Sequence, residues 1–252
     1  FCICYIKKYM IKHFNLKDIN IFLKKIVPDT MDGLIFFSIL PIKNRSKKKI
    51  SEIIYAVPFI GLILGTVIIL PVLLIMIFRD IDVINSIIII LMSILVTGCL
   101  HEDGLADFCD SFGGNNKKSK LEIMDDSRVG AYGMVSINIS LLIRFMSLFY
   151  LFSKMETLEV LLVVISNAIL SRTTMLYILT TLPPAKKTGL GMAANQKKSV
   201  NMFIAYGVSV ISSFLLIFIF VDYKIFFVSV FAAIFSTLLL SYLAMRTIKG
   251  QT

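Results

Sequence analysis

Val57–Phe78, VPFIGLILGTVIILPVLLIMIF, is a run of 22 residues without a single charge. A helix that crosses a bilayer needs about 20 mainly apolar residues. The run therefore predicts a membrane span, with Pro58 at its start and Pro71 as a point where it can kink. Five further stretches have the same character: roughly Val83–Leu100, Ala131–Phe152, Leu158–Leu182, Val200–Val221 and Ile225–Met245. The apolar patch Gly33–Ile42 is too short to span and is expected to be a re-entrant or interfacial segment ended by Pro41. The expected fold is all-α: a polytopic transmembrane helical bundle with about six spanning helices and that short N-terminal segment. Residues 1–30 are expected to be a poorly defined N-terminal segment, and 31–252 a single membrane domain.

Composition agrees. Hydrophobic residues make up 57% and charged residues 17% of the 252 residues, against about 45–50% and about 25% in soluble domains. The net charge of +10 would suggest nucleic acid in a soluble protein. Here it reflects lysine and arginine on one side of a membrane, next to anionic lipid or a polyanionic substrate, and no nucleic-acid partner is expected. With six alternating spans, 21 of the 26 lysines and arginines fall on one side. Only Arg79, Lys154 and Lys224 fall on the other, and Arg144 and Arg172 lie within spans. The positive-inside rule makes the rich side cytoplasmic, with both termini and the loops 101–130 and 183–199. Four cysteines without C-x-x-C spacing, Cys2, Cys4, Cys99 and Cys109, read as reduced thiols rather than a zinc site or disulfide framework. Residue 1 is Phe, and Met10 is a candidate start.

The stretch that carries chemistry is Leu100–Gly114, LHEDGLADFCDSFGG, which begins where the second span ends. At about 100° per residue, Asp103, Asp107 and Asp110 fall within roughly 60° of one another on a helix. Their carboxylates repel unless a cation sits among them, and a divalent ion with hard oxygen ligands is the natural partner. The bland alternative is a solvated acidic face. Against it stand the position at a membrane boundary, the small neighbours Gly104 and Ala106, and a chain with only 16 acidic residues. Gly113 and Gly114 signal the end of the helix. His101 falls on the opposite helical side and is not assigned as a metal ligand.

Glu122–Gly133, EIMDDSRVGAYG, offers a further carboxylate and an arginine suited to bidentate phosphate binding, with Gly130 and Gly133 permitting close approach. Intramembrane arginines are costly and face a partner or a cavity. Arg172, among Asn167, Ser171, Thr173 and Thr174, is assigned to substrate, and Arg144 to structural pairing. The loop Pro183–Lys198 holds four lysines and Gly189-Leu190-Gly191. The positive-inside rule already accounts for those lysines.

His101–Asp107 with Asp110, then Ile123–Arg128 and Gly130-x-x-Gly133, resemble the signature of the cobalamin synthase family (adenosylcobinamide-GDP ribazoletransferase). Gly33–Pro41, Val57–Gly65 and Gly189–Gly191 resemble further family segments in the same order, so that the resemblance covers about residues 33 to 252. Ser38 stands where threonine is usual, and Asp125 where a basic residue is common, which leaves Asp126 as the matching acid. Lys249–Thr252 resembles the opening of the family's terminal G-G-x-T-G-D segment, where this sequence stops. The transferase domain is therefore expected to be truncated at its C-terminus.

The resemblance implies a Mg²⁺-dependent transferase of the bacterial cytoplasmic membrane. α-Ribazole, or its 5′-phosphate, attacks adenosylcobinamide-GDP, giving adenosylcobalamin or its 5′-phosphate and releasing GMP. Asp103, Asp107 and Asp110 are the expected catalytic residues, and Asp103, Asp107, Asp110 and Asp126 the expected metal ligands. Glu102, Arg128 and Arg172 are the expected substrate contacts. Membrane lipid is a further expected partner, and a homo-oligomer is compatible with the sequence. The aspartates also resemble those of CDP-alcohol phosphotransferases, although Asp107 occupies the arginine's place in D-x-x-x-x-A-R. A lipid phosphotransferase and an ion-translocating protein are the alternatives.

Overall fold

The computed structural model describes residues 16–42, 48–77, 81–194 and 200–252. In chain order the helices are α1 (Leu16–Phe37), α2 (Val57–Ile75), α3 (Asp82–Thr97), α4 (Leu100–Asp110), α5 (Lys117–Met124), α6 (Ala131–Phe152), α7 (Thr157–Thr181), α8 (Val200–Phe214) and α9 (Tyr223–Thr247). Short turns at Ile50–Ile53 and Ile54–Ala56 lead into α2, and a π-turn at Leu215–Ile219 prolongs α8.

Two glycines four residues apart bring the central pair of helices together. A Cβ on Gly61 would stand 2.5 Å from the carbonyl oxygen of Ala168, and one on Gly65 would stand 3.0 Å from the Cα of Ile165. Where lipid removes the hydrophobic drive between helices, such small-residue contact lets backbones approach and gain dispersion energy. α2 and α7 thus form the spine. Ile60, Leu64, Leu161 and Leu176 are almost fully buried around it. On the outer helices α6 and α9, by contrast, large apolar side chains such as Leu142, Ile143, Phe227 and Phe231 are exposed, which suits a lipid-facing surface.

Among the described residues, five helical segments are long and apolar enough to cross a membrane: Ile50–Ile75, Ala131–Phe152, Thr157–Thr181, Asn201–Ile219 and Tyr223–Thr247. The chain is an all-α polytopic membrane bundle. The expected second span differs. α3 covers 16 residues, and Leu100–Gly113 leaves its direction by 85°, so a sixth crossing exists only if this bent pair is counted as one. α3 is its apolar limb, and the acidic limb α4 lies outside the spanning segments. The turn comes from two consecutive left-handed residues, Gly98 (φ 61°) and Cys99 (φ 62°). Gly98 closes α3 by donating to the carbonyls of Ile94 and Leu95. A left-handed non-glycine residue such as Cys99 is uncommon and marks a constrained position.

The N-terminal expectation also changes. Residues 33–37 are the last turn of α1, a helix that starts at Leu16 inside the segment expected to be poorly defined. Only 38–42 is non-helical, and there Ile39 donates to the Val96 carbonyl at 3.0 Å. The segment is thus a helix end packed on α3, not a free re-entrant loop. Polar residues hid α1 from an apolar scan. Asp29, Thr30 and Asp32 are buried, and Asp29 accepts from Tyr55 Oη at 2.6 Å and pairs with Lys48. The cysteines Cys99 and Cys109 are free. Cys2, Cys4, Met10 and the cations before Leu16, in 43–47, at Arg79 and at 197–198 lie outside the described residues.

The spine is testable by one methyl group. Gly61→Ala is expected to destabilise the detergent-solubilised protein by about 1–3 kcal/mol through overpacking. Gly207→Ala, which has nothing within 4 Å of the added carbon, is expected to be neutral or slightly stabilising. Thermal unfolding midpoints of the two variants check this.

Candidate active site

Asp110 is the last residue of α4, and Gly130 and Gly133 stand at the start of α6. The Gly130 amide donates to Asp110 Oδ2 and the Gly133 amide to Asp110 Oδ1, each at 2.8 Å. The first amides of a helix have no partner within it and carry the positive end of its dipole. A carboxylate from another helix satisfies both needs here. Glycine is required at both places, because a Cβ on Gly130 would lie 2.5 Å from Asp110 Oδ1 and one on Gly133 would overlap Oδ2. Asp110 is buried.

The other two aspartates face elsewhere. Asp103 and Asp107 line a cavity of about 370 Å³ together with Gly104 and His101 from α4. Leu100, Met175 and Leu179 give it apolar walls, and Lys186, Thr188, Gly189 and Gly191 close it from the loop after α7. Burial, then the charges of Asp103 and Asp110, raise the Asp107 carboxyl above its ordinary range, and Lys186 partly offsets them.

The loop owes its place to Pro183 and Pro184, which cannot continue α7; Leu182 before them is extended, with ψ 142°. Gln251 then fixes it. Its amide donates to the Pro183 carbonyl at 2.9 Å, its carbonyl accepts from Ala185 at 2.7 Å, and its side chain donates to the Gly191 carbonyl at 2.8 Å. Thr252 also lines the cavity. Across the mouth, Lys186 pairs with Asp125 at 2.5 Å.

The remaining expected residues lie outside the cavity lining. Asp126 is held by Arg128, whose Nη2 reaches its Oδ2 at 2.7 Å while the backbone amide adds a bond at 3.0 Å. These bonds lower the Asp126 carboxyl below its ordinary range. Glu102 pairs with Arg144 at 2.7 Å, so the structural pairing expected of Arg144 is found and its partner is a residue expected to touch substrate. Arg172 lies 3.0 Å from Ser171 Oγ and 3.1 Å from His101 Nε2. A guanidinium only donates, so His101 Nε2 is the acceptor and the ring is neutral. His101 sits opposite the aspartate stripe on the helix, yet its ring reaches the same cavity.

The four expected metal ligands are therefore not assembled into one shell. Among the described residues no group of three His, Cys, Asp or Glu side chains is placed to hold an ion. Two carboxylates in one cavity do fit Mg²⁺, which commonly takes one or two and fills its octahedron with water and substrate phosphate oxygens.

The CobS model, described as cobalamin-5-phosphate synthase, matches residues 29–252. The chain belongs to this family. Proteins similar to this CobS-family chain include an adenosylcobinamide-GDP ribazoletransferase of Rhizobium etli, 32% identical over 188 residues that cover 73% of this chain and 72% of that protein. Another, of Azorhizobium caulinodans, is 34% identical over 68% of this chain and 67% of its own. A third, of a Sinorhizobium species, is 29% identical over 89% and 88%. No solved structure matches the chain.

The sequence reading missed Lys186 and Gln251. Lys186 was hidden among lysines that topology explains, although its place two residues after a Pro-Pro helix stop was a usable signal. Gln251 gave no signal, because its role depends on a pairing across 60 residues.

Two outcomes are expected. The folded state holds the Asp107 proton longer than the unfolded chain does. Asp107 thus favours the fold at acid pH and loses that contribution as pH rises from the ordinary aspartate range through its raised value. Asp107→Asn should flatten that part of the stability–pH curve, measured by chemical denaturation. Arg144→Leu, which leaves the mostly covered Glu102 carboxylate without its cation, should cost about 1–3 kcal/mol, whereas Arg144→Leu with Glu102→Leu should cost less.

Proposed function

We propose that this chain is a membrane transferase that joins α-ribazole, or its 5′-phosphate, to adenosylcobinamide-GDP at the cytoplasmic face, with Mg²⁺ held by Asp103 and Asp107. The observation that carries this reading is the pairing of those two carboxylates in one cavity with Lys186 and Thr188, in a chain of the CobS family. The relatives' names supply the substrates, and the lysine- and arginine-rich side supplies the orientation.

In this reaction a free ribose hydroxyl of the nucleoside or nucleotide, not the 5′ position whose phosphate the product keeps, gives up its proton to solvent and attacks the phosphorus attached to the corrinoid. The bond from that phosphorus to the bridging oxygen breaks, and GMP leaves with that oxygen. Phosphoryl transfer needs alignment and charge neutralisation more than covalent help. Mg²⁺ supplies Lewis-acid stabilisation of the phosphoryl oxygens when bound. Asp103 and Asp107, which line the cavity, would hold it. Gly104 leaves that side of α4 open, with nothing within 4 Å of a Cβ built there. Met175 and Leu179 exclude water from one wall. Asp110, with an amide on each oxygen, positions α4 and takes no part in the chemistry. Glu102, Arg144 and Arg172 hold α4 against α6 and α7.

Purified protein should release GMP from adenosylcobinamide-GDP only when α-ribazole or its phosphate and Mg²⁺ are present. Asp103→Asn and Asp107→Asn should lower kcat by about 100-fold or more, as expected when charge stabilisation in the transition state is lost. Product from a CDP-activated lipid and none from the corrinoid would assign the protein to lipid phosphotransfer instead.

A further inference from the structure

We propose that Lys186 binds the diphosphate of the incoming substrate, and that Asp125 holds it at the cavity mouth until the substrate arrives. The inference rests on the transferase reading and adds a residue and a gate to it.

The three arginines nearest the site are each held by another side chain. Arg128 is bound to Asp126 and is 87% exposed, Arg144 is bound to Glu102, and Arg172 lies against His101. None of the three lines the cavity. Among the described residues that line it, Lys186 is the one lysine or arginine. Its side chain is 21% exposed, whereas that of its partner Asp125 is 68% exposed. The lysine thus belongs mostly to the cavity and the aspartate mostly to water.

The balance of charge gives the reason for a gate. Without substrate, Lys186 faces Asp103, Asp107 and Asp125. A divalent ion on Asp103 and Asp107 would cancel the inner pair and leave Lys186 without negative charge on its cavity side. A diphosphate supplies it. Exposed ion pairs are weak, while a lysine bonded to phosphate makes a charge-assisted hydrogen bond of about twice the ordinary strength. A flexible four-carbon stem lets the ammonium change partner without moving the backbone. Pro183, Pro184 and the Gln251 hydrogen bonds keep that backbone in place. Asp125 sits on the short segment between α5 and α6, which the Asp110–Gly130 and Asp126–Arg128 bonds keep in place when Lys186 changes partner.

The test is a double-mutant cycle on the full chain in detergent. Two readouts are used: the Kd of Mg-pyrophosphate by calorimetry, and the KM for adenosylcobinamide-GDP. Lys186→Ala should raise both about tenfold or more, and Lys186→Arg should restore most of the loss. Asp125→Asn should tighten both by about two- to fivefold, and should have no effect in the Lys186→Ala background. Lys186→Gln, similar in length and uncharged, replaces the alanine variant if that one does not fold. An unchanged Kd in Lys186→Ala or Lys186→Gln overturns the proposal. So does weaker Mg²⁺ binding in Asp125→Asn, which would make Asp125 an ion ligand. If the wild type binds Mg-pyrophosphate through Lys186 but releases no GMP from the corrinoid, the transferase reading fails and the Lys186 assignment stands.

Discussion

The carboxylate of Asp110 accepts the amides of Gly130 and Gly133 at the start of α6, and the placement of the site depends on that junction. It ties the far end of α4 to the first turn of a membrane-crossing helix, where unpartnered amides and the helix dipole both favour a negative group. The near end of α4 is set by the left-handed pair Gly98 and Cys99. Fixed at both ends, α4 lies at 85° to the helix before it. Asp103 and Asp107 then line the cavity, while Asp110 stays at the joint.

Charge inside the bundle reinforces this geometry. Glu102 to Arg144 fastens α4 to α6, and His101 to Arg172 fastens it to α7. Intramembrane charges are tolerated where they find partners, and here the Glu102 carboxylate serves Arg144 and the neutral His101 ring serves Arg172. Glu102 and Arg172, which look like substrate ligands in the sequence, are paired between helices, and among the described residues the cavity-lining Asp103 and Asp107 have no such partner.

Much of this was legible in the sequence. Apolar length alone identified the bundle and placed four of its spans to within two residues or so, because lipid demands a continuous apolar helix. The 101–110 motif was legible because three acids at helical spacing beside a membrane are costly without a purpose. What failed were inferences that need a third dimension. Helical phase placed Asp110 with Asp103 and Asp107 but could not reveal that α6 begins against its side chain. The bend at Gly98 and Cys99 was invisible because an apolar run continues to Leu100. α1 was missed because Asp29 and Asp32, buried in the fold, interrupt the apolar run that a scan for spans relies on. Gln251 and Lys186 act across long sequence separations that no local pattern reports.

Under the proposed function, an ion shared by two carboxylates rather than caged by four would leave room in one small cavity for substrate phosphate oxygens. The direct measurement uses Mn²⁺ in place of Mg²⁺, with electron paramagnetic resonance to count bound ions and ¹³C-carboxylate-labelled aspartate to detect their ligands. One ion per chain is expected, with carboxylate couplings that vanish or weaken in Asp103→Asn and in Asp107→Asn and persist in Asp110→Asn and Asp126→Asn. Couplings that survive loss of Asp103 and Asp107, or that disappear with Asp126, would contradict the account.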